Sequence, residues 1–318
     1  MASPLPFRRA VDLKPVPEEQ RWLIQDLWAA QAVGIVGGEP KCCKSFLALD
    51  MAVSIASGAP CLRRFAVADK GPVLLFAAED ALHVVRRRIE GICRAADVDF
   101  ARLDVHVITA VSVRLDIEDH RRRLIDTLAA LCPRLLVLDP FVRLHRVDEN
   151  ASGEVAPLLA FLRELQRRFH TAVVLVHHAR KGGARARAGQ ALRGSSEFHA
   201  WGDSNLYLRR THDGRLVLSV EQRAAPSIAP LALDLHEDAD RLALQITADK
   251  VTHDPPPVDP AERIVNALAA AHTPLPLADI REACRIRTAR LCQELAALVD
   301  TGRVLKAEGG YVLAPPSS

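Results

Sequence analysis

The sequence lacks any long apolar run. Its longest apolar stretches, such as residues 73–78 and 172–176, are far shorter than the roughly 20 residues that cross a bilayer as a helix. The amino end, MASPLPFRRAVDLKPVPEEQ, is polar and contains no apolar core of a signal peptide. We therefore expect a cytoplasmic chain that has no membrane partner.

The chain also lacks paired cysteines and a strong charge of either sign. None of its 7 cysteines forms a CxxC pair, so their spacing predicts neither a zinc site nor a disulfide framework. A net charge of +3 is too small to indicate a nucleic-acid partner by itself, and such a prediction must rest on local clusters. With 318 residues, of which 49% are hydrophobic and 25% charged, the chain is expected to form about two globular domains.

Short apolar runs alternate with amphipathic helical patterns between residues 33 and 247. The apolar runs are 33–37, 73–78, 105–109, 135–139 and 172–177, and the helical patterns are 44–56, 81–95, 118–131 and 153–169. Continuous apolar runs predict strands that are buried on both faces, hence an α/β fold with a mostly parallel sheet. After Ser196, the runs 205–209, 216–221, 231–235 and 242–246 predict antiparallel hairpins that extend this sheet.

A proline-rich stretch divides the chain. KVTHDPPPVDP at 250–260 is typical of a stiff, extended linker, and residues 1–20 form an amino-terminal extension to an α/β domain at 21–249. Helical patterns at 260–270, 277–283 and 288–301 are followed by two short strand patterns at 303–306 and 311–314. Three helices and a small hairpin predict a winged-helix domain at 261–314, with a tail at 315–318.

The strongest chemical signal is Gly38-Glu39-Pro40-Lys41-Cys42-Cys43-Lys44-Ser45, followed by Phe46, between a predicted strand and a predicted helix. This is the pattern and the context of a P-loop, in which backbone N–H groups cradle phosphates. Lys44 is predicted to neutralise the β and γ oxygens of a nucleotide, and the Ser45 hydroxyl to coordinate Mg²⁺. Cys43 stands where the pattern ordinarily has glycine, and its Cβ is expected to crowd the phosphates or strain the turn.

Acidic residues end two of the neighbouring predicted strands. Asp139, which closes the run 135–139, is predicted to hold Mg²⁺. Glu79 is the first candidate, and Asp80 the second, for the base that orients the water attacking the γ-phosphate. The alternative is that both residues only cap the helix that begins near Ala81.

Two histidines, His177 and His178, end another predicted strand. They are interpreted either as a polar sheet edge or as contacts to the γ-phosphate. The following segment, RKGGARARAGQALR at 180–193, has five basic residues and no acidic one, which is typical of a loop that tracks single-stranded nucleic acid. Its candidate contacts are Arg180, Lys181, Arg185, Arg187 and Arg193, and the alternative is a solvated surface loop.

Over about residues 20–235, these features resemble the RecA-like hexameric ATPases, and among them the RepA-type plasmid replicative helicases. The resemblance is carried by the P-loop, by AAED at 77–80, by LDPF at 138–141 with DENASG at 148–153, by HHARK at 177–181, and by RGSS at 193–196.

The resemblance implies a set of roles. ATP and Mg²⁺ would bind at Lys44, Ser45 and Asp139, with Glu79 as the catalytic glutamate and His178 as the γ-phosphate sensor. It also implies a homo-oligomeric ring, a hexamer, in which an arginine of the neighbouring subunit completes each site.

The sequence departs from the RepA-type pattern at that arginine. Where those helicases place it, this chain has Trp201-Gly202-Asp203. Arg209, Arg210 and Arg223, on the later predicted strands, are the alternatives, and Arg223 is counted among the catalytic candidates.

The carboxy-terminal pattern resembles winged-helix DNA-binding domains. Arg285, Arg287, Thr288 and Arg290 cluster at the start of its third predicted helix, the end that enters a major groove in helix-turn-helix proteins. Residues 261–314 hold seven basic and six acidic residues, so a protein-interaction module is the alternative.

Two functions remain in competition at this point. The first is a helicase-like ATPase motor that works as a ring on single-stranded DNA in replication or recombination. The alternative is an ATP-switched DNA-binding regulatory or assembly protein of a mobile element or phage, with slow hydrolysis and no translocation. A smaller hypothesis is redox control, because thiols at Cys42 and Cys43, at a helix N-terminus beside Lys44, are expected to have a lowered pKa. The favoured alternative is that the loop simply tolerates two small residues there.

Overall fold

The computed structural model describes residues 5–15, 17, 20–178, 197–211, 213–238, 240–247, 260–271, 273–284, 286 and 288–314. The chain divides into two compact units, Met1–Val251 and Thr252–Ser318. Apart from Pro260, the predicted linker at 250–260 lies outside the described residues, so the predicted domain boundaries stay predictions.

Within the described residues, the first unit is built around a nine-stranded sheet of strand order β11-β10-β9-β8-β3-β7-β6-β4-β5. Its strands are β3 (Val33–Gly38), β4 (Val73–Ala77), β5 (Val105–Val107), β6 (Leu135–Asp139), β7 (Ala172–His178), β8 (Ser204–Arg210), β9 (Leu216–Gln222), β10 (Leu231–Asp238) and β11 (Arg241–Ile246). Its helices are α1 (Lys44–Ser57), α2 (Leu82–Ala95), α3 (Glu118–Leu131), α4 (Ser152–Phe169) and α5 (Glu197–Trp201).

The strands from β8 to β5 run parallel, and helices cover both of their faces. Adjacent residues on β3 show this directly. Val36 belongs to the same buried cluster as Leu47 of α1, whereas Ile35 belongs to a second cluster with Leu158 of α4. Because successive side chains of a strand point to opposite faces, a strand covered on both sides must be apolar throughout. The predicted α/β fold with a mostly parallel sheet is confirmed.

The carboxy-terminal strands of the first unit extend the sheet. Strands β8, β9, β10 and β11 pair antiparallel to one another, as the hairpin pattern predicts. On its other side, however, β8 pairs parallel with β3, in the register Gly38↔Leu208. The sequence pattern of β8 contains no sign of this second partner, because a short apolar strand fits either direction.

A small amino-terminal hairpin, β1 (Trp22–Ile24) and β2 (Trp28–Ala29), is not predicted by the sequence, because strands this short show no periodicity. The hairpin is tied to the sheet by hydrogen bonds. The Ala29 N–H donates to Ser204 Oγ over 3.0 Å, and Gln222 Nε2 donates to the Leu27 carbonyl over 2.9 Å. Trp28, the first residue of β2, is fully buried.

The second unit contains α6 (Pro260–Ala269), α7 (Leu277–Cys284), α8 (Thr288–Asp300) and an antiparallel hairpin of β12 (Val304–Ala307) and β13 (Gly310–Leu313). Apolar residues of all three helices and of β12 form its buried core, among them Ile264, Ile280, Leu291 and Val304. The assignment of this unit as a winged helix stays a prediction. None of the helices in the described ranges combines the length and the apolar character of a membrane-spanning segment.

Candidate functional site

A cleft opens at the carboxyl edge of the sheet, which we define as the edge where the parallel strands β3, β4, β6 and β7 end. Its volume of about 320 Å³ lies within the range of roughly 300–1,000 Å³ that is usual for small-molecule sites. Its walls come from the loop before α1, from the first turn of α1, from α2, and from residues at or just after the ends of β4, β6 and β7. They are Lys41, Cys42, Cys43, Lys44, Ser45, Phe46, Glu79, Asp80, Arg88, Asp139, Val176 and His178.

The loop between β3 and α1 has an unusual backbone. Lys41 and Cys43 are left-handed, with φ angles of 65° and 59°. Gly38 has φ 155°, and a Cβ at this position would lie 2.2 Å from the Leu208 carbonyl oxygen of β8. The glycine is therefore required by the close approach of β8. Cys43, by contrast, adopts the left-handed conformation in place of the usual glycine, at a cost of about 1 kcal/mol.

Lys44 is the first residue of α1, and only 5% of its surface is exposed. Its Nζ donates to the carbonyl oxygen of Glu39 over 2.7 Å, which folds the side chain back along the loop. Burial lowers the pKa of Lys44, because removing the ammonium from water disfavours its charged form. A ligand that supplies negative charge would offset this cost.

Ser45 and Asp139 meet across the cleft. The Ser45 hydroxyl donates to the Asp139 carboxylate, which is 9% exposed. Burial, reinforced by the nearby carboxylates of Asp80 and Glu79, raises the pKa of Asp139 to about 6, and the Ser45 hydrogen bond and Lys44 oppose this effect. Desolvation therefore disfavours the charged form of Asp139 more than Ser45 and Lys44 favour it.

Glu79 and Asp80 each pair with an arginine. Arg143 Nε donates to Glu79 Oε1 over 2.8 Å in a largely exposed pair, and Arg88 pairs with Asp80 in a more buried one. The Arg88 guanidinium also lies over the Phe46 ring, 5.0 Å from its centroid. The sequence indicates neither arginine as a site residue, because nothing in a local motif reveals a partner that arrives from another element.

The two histidines at the end of β7 have different surroundings. His178 is half-buried and lines the cleft. His177 is buried and points away from the cleft into an aromatic cluster, where its ring stacks on Phe198 of α5 at 4.4 Å. Phe141, two residues after Asp139, packs against both rings. Of the two, only His178 borders the cleft.

The remaining predicted P-loop residues occupy the strand end and the turn. Phe46 borders the cleft, whereas Gly38, Glu39 and Pro40 lie in the backbone that leads to it. Glu39 contributes its carbonyl oxygen to Lys44. These positions match the predicted segment 38–46, and their roles stay predictions.

The alternative arginines lie at opposite edges of the sheet. Arg209 and Arg210 end β8 beside the phosphate loop. Arg223 follows β9 and lies at the amino edge, the edge where the parallel strands begin, since Gln222 is the partner of Ser204. There its guanidinium is 3.3 Å from Asp203 and also donates to the Ala200 carbonyl. Arg223 therefore lies away from the cleft.

Several predicted nucleic-acid contacts lie outside the described residues, namely Arg180, Lys181, Arg185, Arg187, Arg193, Arg285 and Arg287. Thr288 and Arg290 are exposed at the start of α8. Arg290 Nε lies 3.4 Å from Glu294 Oε1 one turn later, so its charge is partly compensated within the helix.

The expectation of reactive thiols in the phosphate loop is wrong. Burial raises the pKa of Cys42 and of Cys43, although Lys44 and Arg210 act in the opposite direction. Cys42 is 1% exposed. Desolvation of the thiolate therefore outweighs its proximity to a helix N-terminus and to cations.

Fold and cleft together define a P-loop nucleotide-binding protein: a strand, a turn and a helix form the phosphate loop, and the carboxylate of Asp139 ends a nearby parallel strand. The family model described as AAA domain matches residues 2–184, which is more than half of the chain. The chain belongs to this family and is a nucleotide-binding ATPase.

Proposed function

We propose that this chain hydrolyses ATP with Mg²⁺ in the cleft and works as a ring-forming, helicase-like motor on single-stranded DNA. One observation carries the hydrolysis: Lys44, Ser45, Asp139, Glu79 and His178 come from four separate segments of the chain and border the same cleft.

Each residue takes one role in this proposal. Lys44 and the backbone N–H groups before α1 bind the β- and γ-phosphates, which replace the Glu39 carbonyl as the partner of the ammonium. Glu79 orients and deprotonates the attacking water. His178 contacts the γ-phosphate and responds to its loss.

The residues at the end of β6 fit a magnesium ion. A serine hydroxyl and a carboxylate are oxygen ligands of the kind that Mg²⁺ prefers, and Ser45 and Asp139 already touch. The raised pKa of Asp139 reflects buried negative charge that a divalent cation would neutralise. When bound there, Mg²⁺ would stabilise negative charge on the phosphates.

Action on DNA and assembly into a ring are supported by the resemblance to RepA-type helicases and by the basic segment 180–193, which follows the His178 strand end. In such a ring, an arginine from the neighbouring subunit would complete the cleft. Arg223, at the amino edge and away from the cleft of its own subunit, and Arg209 and Arg210 at the carboxyl edge remain the candidates.

The first experiment measures ATP turnover with Mg²⁺ for the wild type, Glu79→Gln and Asp80→Asn. Each is assayed without DNA, with single-stranded DNA and with duplex DNA, and mass photometry is run on the same samples. The motor predicts ring-sized particles, stimulation by single strands, and a loss of on the order of 100-fold in Glu79→Gln. Asp80→Asn, in the neighbouring ion pair, is expected to lose far less. An assembled ring that single strands do not stimulate would contradict the motor.

The second candidate is an ATP-switched protein that binds duplex DNA through residues 261–314. It is favoured by the separate compactness of Thr252–Ser318, whose exposed Thr288 and Arg290 open α8. The test replaces Arg285, Arg287 and Arg290 by alanine in the full chain and measures duplex binding at two salt concentrations. Loss of binding, with an Arg303→Ala control unchanged, would support the switch. Equal binding by the triple variant would count against it.

A further inference from the structure

Arg143 is held by a short, anchored segment that follows Asp139. Residues Phe141–Arg143 form a single 3-10 turn, in which the Arg143 N–H donates to the Pro140 carbonyl over 3.1 Å. Phe141 is fully buried in the aromatic cluster with His177 and Phe198. The backbone that carries Arg143 is therefore fixed relative to Asp139, although the side chain itself is 62% exposed.

The Arg143 side chain reaches from β6 toward the end of the adjacent strand β4. The two strands are in register at Ala77↔Asp139, and the Ala78 N–H donates to the Asp139 carbonyl over 2.7 Å. Glu79 is the next residue along. Arg143 Nε donates to Glu79 Oε1 over 2.8 Å, so the hydrogen bond engages one carboxylate oxygen.

The Glu79–Arg143 pair affects the orientation of the Glu79 carboxylate more than the stability of the fold. Glu79 is 44% exposed, and an exposed ion pair contributes at most about 1 kcal/mol to folding. An exposed glutamate without a partner, however, samples several rotamers, and catalytic groups work efficiently only when held close to the productive geometry. Arg143 restricts that freedom with a charged hydrogen-bond donor.

The neighbouring acidic residue provides a contrast. Asp80 pairs with Arg88 where both side chains are less than one third exposed, and Arg88 is itself held over Phe46. This second pair is packed against α1 and serves the wall of the cleft. Of the two pairs, the Glu79–Arg143 pair is the more exposed to solvent.

We propose that Arg143 is a positioning residue for Glu79: it holds Oε1 so that Oε2 is directed at the water that attacks the γ-phosphate. This inference rests on the proposed function, in which Glu79 is the base. Arg143 acts through Glu79 and is assigned no contact with the nucleotide.

A double-mutant cycle tests the proposal in the full chain. kcat and KM for ATP are measured, with Mg²⁺ and a fixed amount of single-stranded DNA, for the wild type, Glu79→Gln, Arg143→Gln, Arg143→Lys and the double variant Glu79→Gln/Arg143→Gln. Arg146→Gln, an exposed arginine of the same segment, is the matched control. Because Arg143 is exposed, its variants are expected to fold, and thermal unfolding of each checks this.

The expected result is a loss of roughly tenfold in kcat for Arg143→Gln, with KM changed less than twofold. Arg143→Lys is expected to recover part of the loss, since it keeps a donor and a charge. In the Glu79→Gln background, Arg143→Gln should cost less than twofold, because the residue through which it acts is already disabled.

Three outcomes would overturn the proposal while leaving the proposed function in place. An unchanged kcat in Arg143→Gln would show that the orientation of Glu79 does not depend on Arg143. An equal loss with and without Glu79 would show that Arg143 acts independently of it, and a rise in KM alone would assign Arg143 to substrate binding.

If the wild type turns over ATP but Glu79→Gln does so equally, the assignment of the base fails first. A wild type without turnover would remove the proposed function, and this inference with it.

Discussion

The two edges of the large sheet both carry charged residues, but their charges are balanced in different ways. At the amino edge, Asp203 accepts hydrogen bonds from Arg163 and from the Val33 N–H, and its carboxylate lies 3.3 Å from Arg223. At the carboxyl edge, Asp139 and Lys44 are nearly buried. Burial raises the pKa of Asp139 and lowers that of Lys44, so it favours the neutral form of both. The Lys44 ammonium donates to the backbone carbonyl of Glu39.

This contrast separates a structural cluster from a candidate site. Ionic groups that satisfy one another stabilise a fold, whereas ionic groups that are desolvated without full compensation are placed for a ligand that brings the missing charge. The left-handed backbone at Lys41 and Cys43 adds strain at the same edge. We therefore expect replacement of the ionic groups at the carboxyl edge to lower activity without lowering stability, and replacement of those at the amino edge to lower stability.

The largest effect is expected for Lys44→Ala. ATP turnover should fall on the order of 1,000-fold, because the cation that meets the phosphates is lost. Stability should not fall, since burial disfavours the ammonium in the folded chain. Turnover and urea unfolding are measured beside Lys70→Ala, an exposed lysine. A variant that unfolds more easily than the wild type would break the comparison.

Asp139→Asn should stabilise the chain in a pH-dependent way. Between its ordinary pKa of 3.8 and its folded pKa of about 6, the folded state binds the proton more tightly, so stability falls as the pH rises through this window. In EDTA at pH 7.5 the variant is expected to gain up to about 3 kcal/mol, and the difference should disappear below about pH 4. Urea unfolding at both pH values checks this, with the exposed Asp234→Asn as control. An equal or lower stability at pH 7.5 would contradict it.

Asp203→Ala should have the opposite character. Removing the carboxylate leaves Arg163 and the Val33 N–H without this acceptor at the partly buried amino edge, at a cost of about 1–3 kcal/mol. Turnover per folded molecule should stay within twofold. Asp240→Ala, in an exposed pair with Arg94, should cost less than about 1 kcal/mol. A fall in turnover without a fall in stability would assign Asp203 to the site instead.

The smallest effect is expected for Cys43→Gly. Glycine relieves the strain of the left-handed backbone, but it also increases the conformational entropy of the unfolded chain. Because these effects oppose each other, stability should change by less than about 1 kcal/mol and ATP affinity by less than about threefold. Cys43→Val, whose branched side chain tolerates this conformation poorly, should lose about 1–3 kcal/mol. Nucleotide titration and thermal unfolding compare the two. Equal thermal stability of the Cys43→Gly and Cys43→Val variants would show that the backbone at residue 43 is not strained.

Much of the fold could be predicted because its signals are local. The apolar run 135–139 is a buried strand whatever its neighbours are, and the P-loop pattern places Lys44 at a helix start. The meeting of Ser45 and Asp139 follows, because parallel strands end at one edge. The partners of Glu79 and Asp80 could not be predicted, since a salt bridge depends on rotamers from separate elements. The lowered pKa expected for Cys42 and Cys43 is wrong because the sequence does not report how deeply a loop is buried.

The close approach of β8 to β3 has a consequence for where this protein can be divided. The family match ends at residue 184, but the strand that leads into the phosphate loop lies between β7 and β8, and β8 begins at Ser204. A Cβ at Gly34 would lie only 1.7 Å from the Ser204 carbonyl oxygen. A fragment cut at the end of the match would turn β3 into an edge strand with bare N–H and C=O groups. The region matched by the family model is thus shorter than the region that has to fold together.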